Sequence, residues 1–295
     1  MMDCFPLISD ITSSQVQVVI NKDSTYKALS NFALKNLQQQ LLAHSELKDI
    51  TLTDDFSNNE IPECSIAYYR IWGPITSSSR WDFSSKQFEQ DLLSSELNSQ
   101  IACHFFHINS PGGEAWYLDR LSETIRSLEK PIVVLIEKCC ASAAYYIGCH
   151  SNNIFALTQN DSVGCIGTMV DFLDIMPYFE KLGLKHITAY SSYSDLKNKK
   201  YNDLENGKPK QFIEEELDPL SVQFITEVRS SRDPLKKIPD KDPILRGETY
   251  SAAIAKTNGL IDDIITFPDA VARAYELGQL YKSTLDTKKR ALSYV

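Results

Sequence analysis

Two short stretches near the middle of the chain carry the residue types that acyl-transfer chemistry requires. Ser142 stands in Cys139-Cys140-Ala141-Ser142-Ala143-Ala144-Tyr145-Tyr146, after an apolar run and among small neighbours. Small neighbours leave room for a carbonyl to reach a hydroxyl, and a helix N-terminus lowers the cost of negative charge there. The commoner role for a serine at such a position is to cap the helix. Upstream, Ser110-Pro111-Gly112-Gly113 joins another apolar run to a helical segment. Paired glycines there either turn the chain or expose backbone N–H groups that can hold an oxyanion.

A nucleophilic serine needs a base. The chain has no Gly-x-Ser-x-Gly elbow, and His150 follows on the same element as Ser142, where it is expected to point elsewhere. Lysine is the other candidate, since burial can hold it neutral. The polar stretch from Ser194 to Lys210 offers Lys197, Lys199, Lys200, Lys208 and Lys210. A lysine-rich run is ordinarily a solvated loop, so most of these five must be that. The five histidines and seven cysteines show neither HExxH nor CxxC spacing, so no metal or other cofactor is expected. An odd number of cysteines, several in apolar surroundings, reads as reduced core thiols in a cytoplasmic protein.

The elements that would position these groups alternate between strand and helix. Strands are expected at Ile66 to Ile75, Ile101 to Ile108, Pro131 to Ile136, Asn153 to Leu157 and Lys185 to Tyr190. Helices are expected at Ser84 to Leu97, Leu118 to Leu128, from Ala141, and at Phe172 to Leu182. Such alternation argues an α/β fold with mostly parallel pairing. Past Gln211 the pattern turns helical, with Pro219 predicting a kink or two helices, and a last helix is expected from Phe267 to Leu280 before a polar tail. Residues 1–60 differ in character: Lys27 to His44 has amphipathic spacing, and a polar, turn-rich Thr53 to Glu60 precedes Pro62. The expected organisation is an N-terminal extension over 1–60, a main domain over 61–270, and a C-terminal helix and tail over 271–295.

Composition bounds the partners. The chain has 295 residues, 43% hydrophobic and 23% charged, which suits a globular protein with a sizeable core. With 30 Lys+Arg against 39 Asp+Glu the net charge is -9, which works against nucleic-acid binding. No stretch approaches the roughly 20 consecutive apolar residues of a membrane span, and Met1 to Asp10 lacks the form of a secretory signal.

Taken together, Ile108-Asn109-Ser110-Pro111-Gly112-Gly113, Ala141-Ser142-Ala143-Ala144-Tyr145-Tyr146, Val163-Gly164-Cys165-Ile166-Gly167 and Gly247-Glu248-Thr249-Tyr250 through Gly259-Leu260-Ile261-Asp262 resemble the signal peptide peptidase A family of Ser-Lys serine peptidases. That family includes head-maturation proteases of tailed phages. The resemblance implies a crotonase-like (ClpP-like) fold, a spiral of β-β-α units. It implies a serine endopeptidase in which Ser142 is the nucleophile, and the N–H groups of Gly113 and Ala143 form the oxyanion hole. It further implies a lysine base, for which Ser194-Asp195-Leu196-Lys197-Asn198 points to Lys197, with Lys199 and Lys200 as the alternatives. Substrates would be peptides or proteins of the signal-peptide or phage capsid and scaffold type. A homo-oligomer in which neighbouring protomers share the Ser and the Lys is also implied. The chain departs from the family in carrying Ala143-Ala144 where many members have Gly-Gly, and in showing no membrane anchor. Two other functions fit the same scaffold: a crotonase-like acyl-CoA enzyme, and a catalytically inactive scaffold protein.

Overall fold

The computed structural model describes residues 18–20, 52–53, 63–79 and 82–292. Its strands are β1 (Val18–Ile20), β2 (Leu52–Thr53), β3 (Ser65–Trp72), β4 (Ile75–Thr76), β5 (Phe83–Ser84), β6 (Ile101–Ser110), β7 (Ile132–Ala141), β8 (Asn153–Ala156), β9 (Ser162–Gly164), β10 (Thr249–Ser251) and β11 (Asp263–Ile264). The helices are α1 (Ser85–Leu97), α2 (Leu118–Ser127), α3 (Ala143–Gly148), α4 (Met176–Lys181), α5 (Lys199–Glu205), α6 (Asp218–Ser231), α7 (Ala252–Thr257) and α8 (Phe267–Leu292).

Parallel strands covered on both faces read as unbroken apolar runs, and β6 and β7 are such runs. They sit at the centre of a sheet ordered β10-β9-β7-β6-β3-β1-β2, with β8 beside β7 and β11 beside β8. Every pairing is parallel except that of β10 with β9. This is the mostly parallel α/β architecture expected from the alternation of elements. On one face Ile66, Tyr68, Phe105, Val133, Leu135 and Phe155 pack against Phe267, Ala270, Val271, Ala274 and Tyr275 of α8.

Strand β7 changes partner along its length. It pairs with β8 over Val133 to Ile136 and with β9 over Cys139 to Ala141. The change falls at Lys138, which has φ 72°. Its N–H donates to Asp161 Oδ1 at 3.2 Å, and the buried Asp161 carboxylate also accepts from the Thr158 N–H and hydroxyl, each at 2.8 Å. A second buried device closes the end of α1. The Lys130 ammonium, 5% exposed, donates to the carbonyls of Ser95, Glu96 and Asn98 at 2.7, 2.6 and 2.7 Å. A charged donor thereby serves three carbonyls at the helix end.

Some expectations are corrected. The strand expected to end at Ile136 runs on to Ala141, because β9 takes over from β8 as its partner. Lys185 to Tyr190 is not a strand: it pairs with no sheet among the described residues, and Ile187 and Tyr190 are exposed. The helix expected over Phe172 to Leu182 is confined to Met176–Lys181. The last helix continues past Leu280 to Leu292. At Pro219, which has no N–H to donate, the expected kink takes the form of a wider π turn over Ile213–Leu217 just before α6. The amphipathic segment at Lys27 to His44 lies outside the described residues.

The chain divides into two units, Met1–Ile166 with Glu227–Val295, and Gly167–Thr226. The sheet belongs to the first. The second is short helices and loops, held by Tyr201 edge-on to Phe212 at 5.1 Å and by the Thr168 hydroxyl donating to the Leu217 carbonyl at 2.8 Å. It leaves Leu173, Tyr178, Leu182, Ile187, Tyr193 and Leu196 exposed. Among the described residues no helix is long and apolar enough to cross a membrane.

Three histidines of the first unit are enclosed. Burial holds His104 and His107 below the ordinary imidazole pKa, with Glu96 and Glu137 respectively opposing that shift. Burial, assisted by Arg126, pushes His150 down to about 4. Between about 6.5 and these lowered values the unfolded chain binds more protons than the folded one, so stability falls as pH drops through that window. His150 alone should cost on the order of 2 kcal/mol between pH 7 and pH 5. Urea unfolding at the two pH values should show the loss, and His150→Gln should make the profile shallower.

Candidate active site

The register of the central strands brings the two chemistry-bearing loops together. Ser110 at the end of β6 lies opposite Cys140 near the end of β7. The chain beyond each strand therefore emerges at the same edge of the sheet, Gly112-Gly113 from one and Ser142 from the other. Contact is close. A Cβ on Gly112, whose φ is 98°, would lie 2.7 Å from Ser142 Cβ and 2.9 Å from Ala143 N. Only glycine fits there.

Ser142 does not behave as a helix cap. Caps are extended and bond their side chain to the first turn. Ser142 has φ 53° and ψ −124°, and its side chain makes no capping hydrogen bond. A non-glycine residue held in that region costs on the order of 1–3 kcal/mol and persists only where its surroundings fix it. The surroundings are visible: its N–H donates to the Gly164 carbonyl at 2.9 Å, and its carbonyl accepts from Tyr146 N–H at 2.9 Å. Ser142 remains partly exposed while α3 behind it is buried.

Two backbone N–H groups belong to the loop and the helix start that meet here. Ala143 is the first residue of α3, so its N–H has no acceptor within the helix. Gly113 is clasped by Ile75, whose N–H donates to the Gly112 carbonyl and whose carbonyl accepts from Glu114 N–H, both at 2.9 Å. That parallel bridge leaves the N–H and carbonyl of Gly113 itself facing away from Ile75. A Cβ on Gly113 would lie 2.0 Å from the Ile75 carbonyl oxygen, so here too the approach demands glycine. A serine without a capping role, on elements that carry such N–H groups, has the residue types that nucleophilic attack on a carbonyl with capture of the oxyanion requires.

The later motifs brace the same turn. Gly164 pairs with Thr249 across β9 and β10, Cys165 N–H donates to the Glu248 carbonyl at 2.8 Å, and Gly247 N–H donates to the Ile166 carbonyl at 2.9 Å. The Tyr145 hydroxyl, from α3, donates to the Leu260 carbonyl at 2.8 Å. Asp262 accepts from Ile154 N–H at 2.7 Å and pairs with Arg232 at 2.7 Å. Two contributors escaped the sequence reading. Ile75 acts only through its backbone and carries no signal beyond the Gly73-Pro74 turn before it. Asp161 was readable as a hydroxyl-x-x-acid turn from Thr158.

None of the buried histidines serves Ser142. His104 bonds Glu96 at 2.9 Å, His107 bonds Tyr68 at 2.7 Å, and His150 bonds Ser231 at 2.8 Å. Lys197 lies in the second unit, exposed, two residues before α5. Among the described residues it has no ion pair, whereas Lys199 pairs with Asp203, and Lys200 with Glu215 and Glu216 at 2.9 and 2.5 Å. Hydrogen bonds from Lys200 to Glu216 and then Glu215 raise its pKa.

Residues 124–281 match the sequence profile of peptidase family S49. The chain is 26% identical over 267 residues to a candidate signal peptide peptidase SppA of Enterococcus faecium, covering 87% of this chain and 74% of that protein. It is 28% identical over 203 residues to Protease 4 of Salmonella typhi, covering 66% of this chain but only 31% of the relative. Among solved structures, a membrane-bound stomatin-specific protease in complex with a substrate peptide is 15% identical, with a TM-score of 0.45 over 72% of this chain and 81% of that one.

The backbone at Ser142 yields a stability test. Ser142→Gly relieves the positive-φ strain and Ser142→Ala does not. The glycine variant should therefore be the more stable of the two by about 1 kcal/mol in denaturant unfolding.

Proposed function

Because the chain belongs to peptidase family S49, a family of serine peptidases, we propose that it is a Ser-Lys endopeptidase with Ser142 as nucleophile and Lys197 as general base. The observation that carries this is the strained, uncapped serine wedged against Gly112. Ser142 Oγ attacks the peptide carbonyl carbon while Lys197 Nζ takes the hydroxyl proton. Charge developing on the carbonyl oxygen is met by the N–H groups of Gly113 and Ala143. The lysine then passes its proton to the leaving amine, and water hydrolyses the acyl-enzyme with the same lysine as base.

A lysine acts as base only when neutral. Glu216 and Glu215 favour the ammonium form of Lys200, and Lys199 is engaged by Asp203, which leaves Lys197 the better fit. Lys197 is exposed to water, however. Covering by a second protomer would remove that water. The second unit's exposed Leu173, Tyr178, Leu182, Ile187 and Leu196 offer the apolar surface such a contact buries. A homo-oligomer in which Ser142 of one chain meets Lys197 of the next accounts for both features. Substrates would be extended protein segments, of the signal-peptide or capsid and scaffold type.

Ser142→Ala and Lys197→Ala should each lower hydrolysis of an unstructured protein substrate by at least a thousandfold. Mixing the two inactive variants under conditions of proven subunit exchange should restore activity at sites that pair one intact Ser with one intact Lys. Retained turnover in Ser142→Ala sinks the mechanism, and mixtures that stay dead sink the shared site.

A further inference from the structure

We propose that Trp116 is a specificity-determining residue that receives a large apolar side chain of the peptide substrate. The proposal rests on the assignment of Ser142 as nucleophile and Gly113 as oxyanion donor. Trp116 is 80% exposed, although a tryptophan ring in water forfeits much burial free energy. It stands three residues after Gly113, and a chain spans at most about 3.6 Å per residue. Its Cα therefore lies within roughly 11 Å of the N–H that would bind the scissile carbonyl.

The ring cannot retreat into the core, because the chain is pinned on both sides of it. Before it, Glu114 N–H donates to the Ile75 carbonyl at 2.9 Å, and Glu114 Oε2 accepts from Ser77 N–H at 2.8 Å. After it, Tyr117 takes φ 76° and its hydroxyl donates to the buried Glu89 carboxylate at 2.5 Å. Leu118, 6% exposed, then re-enters the core at the start of α2. The segment between the anchors is short and holds Ala115 and Trp116 outward.

The free edge of Gly113 explains what would meet the ring. Its outward N–H and carbonyl can pair with an extended peptide, as a strand adds to a sheet edge. A peptide so paired runs alongside residues 113–116, so a side chain within about three positions of the scissile bond comes to Trp116. A rigid, pre-placed aromatic ring loses little entropy on contact and favours bulky apolar groups over small or charged ones.

The test uses the full chain and a peptide series in which alanine or leucine occupies, in turn, each of the three positions on either side of the cleaved bond. Native protein, Trp116→Phe and Trp116→Ala are compared by kcat/KM, with Ser142→Ala as control. The native chain should prefer leucine at one of these positions. Trp116→Ala should reduce that leucine-to-alanine ratio roughly tenfold, chiefly through KM, and Trp116→Phe should keep most of it. An unchanged ratio in Trp116→Ala, with Ser142→Ala inactive, overturns the role of Trp116 and leaves the nucleophile standing. Cleavage by Ser142→Ala, or none by the native chain, overturns both assignments together.

Discussion

The geometry of the site depends on the point where β7 exchanges one neighbour for another. A strand that kept β8 as its partner to the end would have no use for β9, and Gly164 would not reach the N–H of Ser142. Lys138 at positive φ breaks the ladder, and the buried Asp161 carboxylate replaces the lost pairing with a charge-assisted bond to the Lys138 N–H. Beyond the break, β7 runs between β6 and β9, so Cys140 faces Ser110 on one side and Ala141 faces Gly164 on the other. Ser142 emerges from between two anchored strands, and its unfavourable backbone angle is sustained by both.

Much of this was legible in the chain itself, for a physical reason. Strands covered on both faces need no polar residues, so Ile101 to Ile108 and the core of β7 appear as plain apolar runs. Positions of closest approach need glycine, so Gly112, Gly113 and Gly164 mark themselves. What was hidden depends on partners. Glu137 and Lys138 make β7 look finished at Ile136, because nothing local says that a new neighbour waits. Lys185 to Tyr190 alternates like a strand but has no edge to join. The outer half of α8 lost its apolar period at Leu280, where the helix leaves the sheet and needs none. The partners of the lysine run were hidden too: nothing local says that Lys199 stands beside Asp203 and Lys200 beside Glu215 and Glu216.

The electrostatics of the first unit explain why its mechanism would not run through a histidine. Among the described residues, three buried imidazoles are joined to the framework: His104 to α1 through Glu96, His107 to β3 through Tyr68, and His150 to α6 through Ser231. Each is kept neutral by enclosure and fixed in direction by its partner. The thiols are similarly withdrawn. Cys103, Cys140 and Cys149 are buried free thiols whose pKa burial raises, which suppresses the thiolate and with it reactivity.

The bracing of Gly164 also orders events during biosynthesis. The carbonyl that accepts from Ser142 belongs to β9, and the free side of β9 is filled by β10, whose residues are translated long after the serine. Glu248, just ahead of β10, and Leu260, after it, add their carbonyls to Cys165 and to the Tyr145 hydroxyl. A nascent chain that has made β6 and β7 holds the serine but not the frame that strains it into position. The ribosome has to deliver most of the sheet before the hydroxyl is presented, so a growing chain carries its own delay.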